Sequence, residues 1–142
     1  EIYSRAAKAM LWVGKGERDG HERNLGFRLE LFSERNPYRA GKGEELAFRL
    51  VFDGKPVAGV LVRARAAAKP DAPVEARTDA EGRVKLKLPE AGMWFVGAVH
   101  MVRSEYAKTY ADWESLWASV TFDLPETAPP PWTPSTSGPA AK

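Results

Sequence analysis

Apolar and polar residues alternate with a period of two along most of this chain. In the clearest case, Val84, Leu86 and Leu88 alternate with basic residues in the segment 83–88. Successive side chains of a β-strand point to opposite faces, so this pattern predicts a strand with one face in a core and the other in water. The same alternation recurs in five other segments: 6–14, 26–34, 46–52, 56–66 and 118–124.

The segment 92–101, GMWFVGAVHM, is apolar at both its odd and its even positions. Such a strand is typical of the middle of a sheet, so we expect a central strand here. Asp53-Gly54, at the end of an alternating segment, predicts a tight hairpin turn. About seven short strands separated by turn residues predict an all-β fold, an antiparallel immunoglobulin-like β-sandwich.

One longer segment, 103–117, interrupts this series of strands. Within it, Trp113, Leu116 and Trp117 have the i, i+3, i+4 spacing of one face of a helix, and Asp112 precedes them at a position suited to a cap. The spacing predicts one short helical insertion. We expect its tryptophans to close the open end of the core. The alternative is a stacking platform for a sugar or a base.

Composition limits the classes of function. The chain has 142 residues, which suits one domain, and a net charge of +2, which is too small to indicate nucleic-acid binding. It has no cysteine, which excludes disulfides and thiolate ligands. No apolar run approaches the ~20 residues of a transmembrane helix. No arrangement typical of an active site is recognisable, so we expect a protein that is not an enzyme.

The composition changes after Leu124, because residues 125–142 are rich in proline. Repeated prolines favour extended conformations without backbone hydrogen bonds. We therefore expect a β-sandwich domain at 1–124 and a C-terminal tail at 125–142. Trp132, which lies among prolines, is the expected anchor of the tail against its own domain or a neighbouring copy.

Three motifs resemble those of prealbumin-like and carboxypeptidase-regulatory-like sandwiches: the hairpin from Asp53 to Val62, the turn from Thr78 to Gly82, and the strand start Gly92–Trp94. Together with NPY at 36–38 and ADWESLWASVTFDL at 111–124, they resemble the C-terminal half of a bacterial periplasmic family, domain of unknown function 4198. The resemblance covers residues 1–124. Members are often labelled as the periplasmic component of a cobalt or nickel transport system, which implies a periplasmic or extracellular location.

This label directs attention to His100, one of two histidines in the chain. A neutral imidazole is a common ligand of nickel and cobalt. The carboxylates of Asp112 and Glu114 could approach it if the segment 103–117 folds back, which gives a candidate metal site of three residues. The alternative is a half-buried histidine that is hydrogen-bonded to a carboxylate. In either case we expect Glu114 to be paired, with His100, a backbone amide or an arginine such as Arg103.

Two functions follow as expectations. The resemblance implies an exported binding module linked to nickel or cobalt handling, with metal-transport components as partners. The sandwich fold and the tail favour instead a structural or adhesive subunit of a cell-surface assembly, which contacts other proteins or copies of itself through sheet edges. Five basic residues predict either an anionic partner or a solvated sheet face: Arg63, Arg65, Arg83, Lys85 and Lys87.

Overall fold

Two packed β-sheets make up the computed structural model, which describes residues 1–14, 20–105 and 110–131. The strands of these residues are β1 (Ile2–Ala9), β2 (Leu29–Ser33), β3 (Glu45–Phe52), β4 (Lys55–Pro56), β5 (Leu61–Ala66), β6 (Lys69–Arg77), β7 (Arg83–Lys87), β8 (Gly92–Arg103) and β9 (Trp113–Leu124). Sheet A has the order β1-β9-β8-β5-β6. In sheet B, β3 pairs with β2, β4 and β7. The predicted all-β sandwich is confirmed, with nine described strands instead of about seven.

The strand pairs are antiparallel with one exception, because β1 runs parallel to β9 from Ile2 to Ala9. β1 forms one edge of sheet A and β6 the other. β8 lies in the middle, between β5 and β9. The central strand predicted from the segment 92–101 is therefore confirmed.

The core lies between the inner faces of the two sheets. Leu86 and Leu88 of the alternating segment are 1% and 0% exposed, as their period-two pattern predicts. Trp94 is the largest of the fully buried side chains, and its Nε1 donates a hydrogen bond to the Glu90 carbonyl at 2.8 Å. Burial of these apolar side chains drives the two sheets together.

The turn at Asp53-Gly54 joins β3 to β4. Both residues have positive φ, 48° and 77°, which is the backbone of a type I′ turn. This turn matches the right-handed twist of the strands that it connects, and Gly adopts its second position without strain. The predicted hairpin is confirmed.

The predicted helical insertion is wrong for residues 113–117, which belong to strand β9. β9 pairs with β8 on one side and with β1 on the other. Residues four apart share a face in both a helix and a strand, so the spacing of Trp113 and Trp117 fits either structure. Residues 106–109 lie outside the described part of the chain. The described helical turn is a 3-10 helix at Pro37–Arg39.

The chain continues beyond β9 along the surface of the domain. The Lys42 backbone N–H donates to the Pro125 carbonyl at 3.0 Å. A Cβ atom on Gly41 would lie 2.8 Å from the Ala128 nitrogen, so residue 41 has to be glycine for the tail to lie this close. Trp132 lies outside the described residues, and its role as an anchor stays a prediction. None of the described helices has the length and hydrophobicity needed to cross a bilayer.

Candidate binding surface

His100 lies on β8, opposite Leu116 of β9. Its ring packs edge-on against Phe52, with the ring centroids 5.1 Å apart. Burial lowers the pKa of His100 below its usual value, because an imidazolium loses hydration between the sheets. The imidazole is therefore neutral at physiological pH.

Glu114 is paired, as expected, but with an arginine 86 residues away in sequence. Its Oε1 accepts a hydrogen bond from Arg28 Nη1 at 2.6 Å, and Arg28 Nε also donates to Asp53 at 3.2 Å. These two carboxylates raise the pKa of Arg28. Arg28 therefore links Glu114, near the start of β9, to Asp53 in the β3–β4 turn. No local signal in the sequence indicates Arg28, because the contact depends on how the two sheets pack.

The third predicted ligand, Asp112, is exposed, and its backbone carbonyl accepts a hydrogen bond from Ser104 at 3.1 Å. Within residues 1–14, 20–105 and 110–131, no group of three or more His, Asp or Glu side chains could hold a metal ion. Glu114 is engaged by Arg28, and His100 packs against Phe52. The described residues therefore do not fit a transition-metal site on their own.

The two tryptophans of β9 lie on the outer face of sheet A, by which we mean the face that points away from sheet B. Trp113 and Trp117 remain 41% and 42% exposed, so they do not close the core. An arginine covers part of each ring: Arg103 lies 4.2 Å from the centre of the Trp113 ring, and Arg5 lies 5.0 Å from that of Trp117. Such cation–π contacts hold the rings in place.

The outward side chains of β8 continue this apolar surface. Met93 and Met101 are more than half exposed, and Phe95 and Val99 are more than 40% exposed. Met101 and Val99 lie beside Ser115 and Trp117 of the neighbouring strand. A central strand therefore presents large apolar side chains to solvent. The described residues provide no cover for them.

A cavity of about 590 Å³ opens in the middle of this face. Its floor is a row of small residues, Ala7, Ser119 and Gly97, which lie side by side on β1, β9 and β8. We call this row the trough. The Trp117 ring borders it on one side, and Phe95 borders it on the other. A Cβ atom on Gly97 would lie 2.7 Å from the Phe95 ring, so the absence of a side chain at position 97 allows that ring to lie over the trough.

Positive charge surrounds the trough. Three arginines contribute to its lining: Arg5, Arg63 and Arg65. No acidic side chain and no lysine contributes, as far as the described residues show. Arg63 forms an ion pair with Glu75 of β6. The outer face of sheet A therefore combines apolar side chains with guanidinium groups.

Comparison with known protein families fits this architecture. Residues 1–102 match the family model described as Domain of unknown function (DUF4198). The chain belongs to this family. The match ends within β8, so it does not include β9 or its tryptophans. No curated protein and no solved structure matches the chain. Family membership therefore gives no function for the outer face of sheet A.

Sequence reasoning identified β8 as central but did not recognise its outer face as a candidate surface. The signal was present, because Met93, Phe95 and Val99 are apolar where a half-exposed strand would carry polar residues. A central strand that is apolar on both faces is either covered on both faces or exposes one of them. The pattern alone does not distinguish these cases. Sheet B packs against one face of β8, and the described residues leave the other face open.

Proposed function

We propose that this domain is a non-catalytic binding module that contacts another protein through the outer face of sheet A. The observation that carries the proposal is the composition of this face. It presents Trp, Phe, Met and Arg, the residue types that are enriched in protein interfaces. Trp and Arg are also the types most often found where binding energy is concentrated.

The continuity of the apolar residues supports a contact surface over an ordinary solvated face. Single exposed apolar residues are common on soluble proteins, but a contiguous group on neighbouring strands marks an interaction site more often. Here Val99 on β8 lies beside Trp117 on β9, and Met101 and Tyr3 flank Ser115 of β9 on its two sides. The partner would cover side chains that the domain itself leaves in water.

The absence of catalysis is part of the proposal. The chain has no cysteine and two histidines. His100 packs edge-on against Phe52, and His21 lies 3.8 Å from Glu22. Neither arrangement supplies the nucleophile and base that group transfer requires.

Peptide selection tests the proposal. Random twelve-residue peptides are selected on the immobilised domain and then measured against two double variants. We expect the selected peptides to lose at least tenfold in affinity for Phe95→Ser/Trp117→Ser, which changes sheet A. They should keep their affinity for Lys85→Ser/Lys87→Ser, which makes matched changes on sheet B. Equal affinity for both variants would contradict the proposal.

The family resemblance supports a second proposal, an exported module for nickel or cobalt handling. The point in its favour is that burial lowers the pKa of His100, because a metal ligand must be unprotonated. The remaining ligands would come from a partner or from residues outside the described ranges. Calorimetric titration with NiCl₂ and CoCl₂ should show binding that His100→Ala abolishes. Binding that is unaltered in this variant would exclude His100 as a ligand, and no binding at all would exclude a metal site formed by this chain on its own.

A further inference from the structure

We propose that the trough binds an acidic, extended segment of the partner protein, which lies across β1, β9 and β8 with its carboxylates at Arg5 and Arg65. This inference rests on the proposed function, because it names the chemistry of the partner at the same surface. Its three supports are the shape of the trough, the charge around it and the apolar groups between the charges.

The shape of the trough suits an extended chain. Neighbouring strands lie about 4.8 Å apart, so the distance from Ala7 on β1 to Gly97 on β8 is about 10 Å. Arg63 lies beside Gly97 on β5, one strand further on, at about 14 Å from Ala7. Four or five residues of extended peptide, at about 3.3 Å each, cover the distance to Arg63. Trp117 and Phe95 stand at the two sides and would contact the apolar side chains of the peptide.

The charge of the trough is positive at both ends. Arg5 lies on β1, at one end, and Arg65 lies on β5, at the other. Within the described residues neither forms an ion pair, whereas Arg63 is held by Glu75. Arg65 is exposed. A guanidinium binds a carboxylate through two parallel N–H···O bonds, so each arginine could hold one acidic side chain of the partner.

The groups between the arginines favour a peptide over a nucleic acid. A phosphate backbone is bound by a continuous series of Lys and Arg, which neutralise successive phosphates. Here Phe95, Val99 and Trp117 occupy the space between the charges. They suit apolar side chains that alternate with acidic ones. The chain as a whole also has a net charge of only +2.

Three fluorescent eight-residue peptides test this inference. They share Val and Phe at alternate positions and carry Asp, Asn or Lys at the others. We expect the Asp peptide to bind at least tenfold more tightly than the Asn peptide at low salt, and the Lys peptide to bind least. The double variant Arg5→Gln/Arg65→Gln should lose this preference. Lys85→Gln/Lys87→Gln, which removes the same charge from sheet B, should keep it.

The outcomes separate the two proposals. If the Asn and Lys peptides bind as tightly as the Asp peptide, and Phe95→Ser/Trp117→Ser abolishes binding, the acidic partner is wrong and the contact surface stands. If no peptide binds at ~1 mM, or that variant binds normally, both proposals are overturned. A short DNA duplex that competes equally for the trough would also overturn the acidic-peptide inference. Circular dichroism confirms that each variant is folded.

Discussion

The outer faces of the two sheets differ in their chemistry although they belong to one sandwich. Sheet A presents Met, Trp and Phe together with arginine. Sheet B presents charged side chains, such as Arg83 paired with Glu34 at 2.8 Å and Lys85 facing Glu45 at 3.6 Å. Lys and Glu are depleted in protein interfaces and keep a sheet surface solvated. Under the proposed function, water covers the outer face of sheet B and the partner covers that of sheet A.

The five basic residues noted in the sequence lie on both sheets. Arg63 and Arg65 lie on β5 of sheet A, and the other three lie on β7 of sheet B. They do not form a single stripe. On sheet B the basic residues belong to a charged surface, whereas on sheet A Arg63 pairs with Glu75 and Arg65 lies opposite the exposed Phe95. The same residue type therefore has a different environment on each sheet.

The largest effect on stability is expected at the buried positions of strand β7 in sheet B. Leu86→Asp should prevent folding, because it places a carboxylate without a partner in a fully buried position, at a cost of several kcal/mol. Lys85→Gln, one residue earlier and exposed, should change the free energy of unfolding by less than about 0.5 kcal/mol. Chemical denaturation measures both. Similar losses would show that the inner and outer faces of β7 are wrongly assigned.

Glu30 is the exception on sheet B, since it is 1% exposed. Its carboxylate accepts hydrogen bonds from Lys8 Nζ at 3.1 Å and from the backbone N–H groups of Leu25 and Gly26 at 2.8 and 3.2 Å. Glu30→Ala would leave these donors unpaired, and we expect a loss of about 3 kcal/mol in the free energy of unfolding. Glu45→Ala is the exposed control. A loss no greater than the control's would show that Glu30 is dispensable.

His100, between the two sheets, should make stability depend on pH. Its pKa is lower in the folded protein than the usual 6.5, so between these two values the unfolded chain binds more protons. Stability is therefore complete above about pH 6.5 and falls as the pH drops through the lowered pKa of His100. The variant His100→Leu should lose less stability over this range than the wild type. His21→Gln serves as the control, and an identical pH profile for His100→Leu would contradict the assignment.

The smallest effect on stability is expected on the outer face of sheet A. Trp94 and Phe95 are adjacent on β8, but Trp94 is 1% exposed and Phe95 is 43% exposed. Trp94→Ala should cost about 3–5 kcal/mol of folding free energy. Phe95→Thr should cost less, about 1–2 kcal/mol, because threonine suits a strand and the Phe95 ring is already partly in water. If Phe95→Thr lost as much folding free energy as Trp94→Ala, the outer face of sheet A would be needed for the fold, which would contradict its assignment as a contact surface.

These comparisons show which parts of the structure local sequence could predict. Leu86 and Lys85 take opposite faces because strand periodicity is a property of the backbone, and Asp53-Gly54 forms its turn because the required positive φ favours these residue types. The position of Glu30 could not be predicted in this way. Its alternation places it outward, but it is buried where Lys8 of β1 and the backbone of Leu25 and Gly26 contact its carboxylate.

The candidate site illustrates the same limit. The pairing of Glu114 was expected from its aromatic neighbours, but its partner, Arg28, is distant in sequence. The trough depends on three residues from three strands, Ala7, Ser119 and Gly97, none of which is unusual alone. Their importance follows from strand register. A single sequence does not encode that register in any local pattern.

Methionine oxidation tests the central claim most directly, because the chain has three methionines and two of them, Met93 and Met101, lie exposed on the outer face of sheet A. Met10 is half-buried beyond the end of β1 and provides an internal control. Hydrogen peroxide is added to the free domain and to the domain saturated with a peptide that was selected on it. Mass spectrometry then measures the rate of oxidation at each methionine. The account predicts that the peptide slows oxidation of Met93, of Met101 or of both at least severalfold and leaves Met10 unchanged. Unchanged rates at Met93 and Met101 with the peptide bound would contradict the claim that this face is the contact surface.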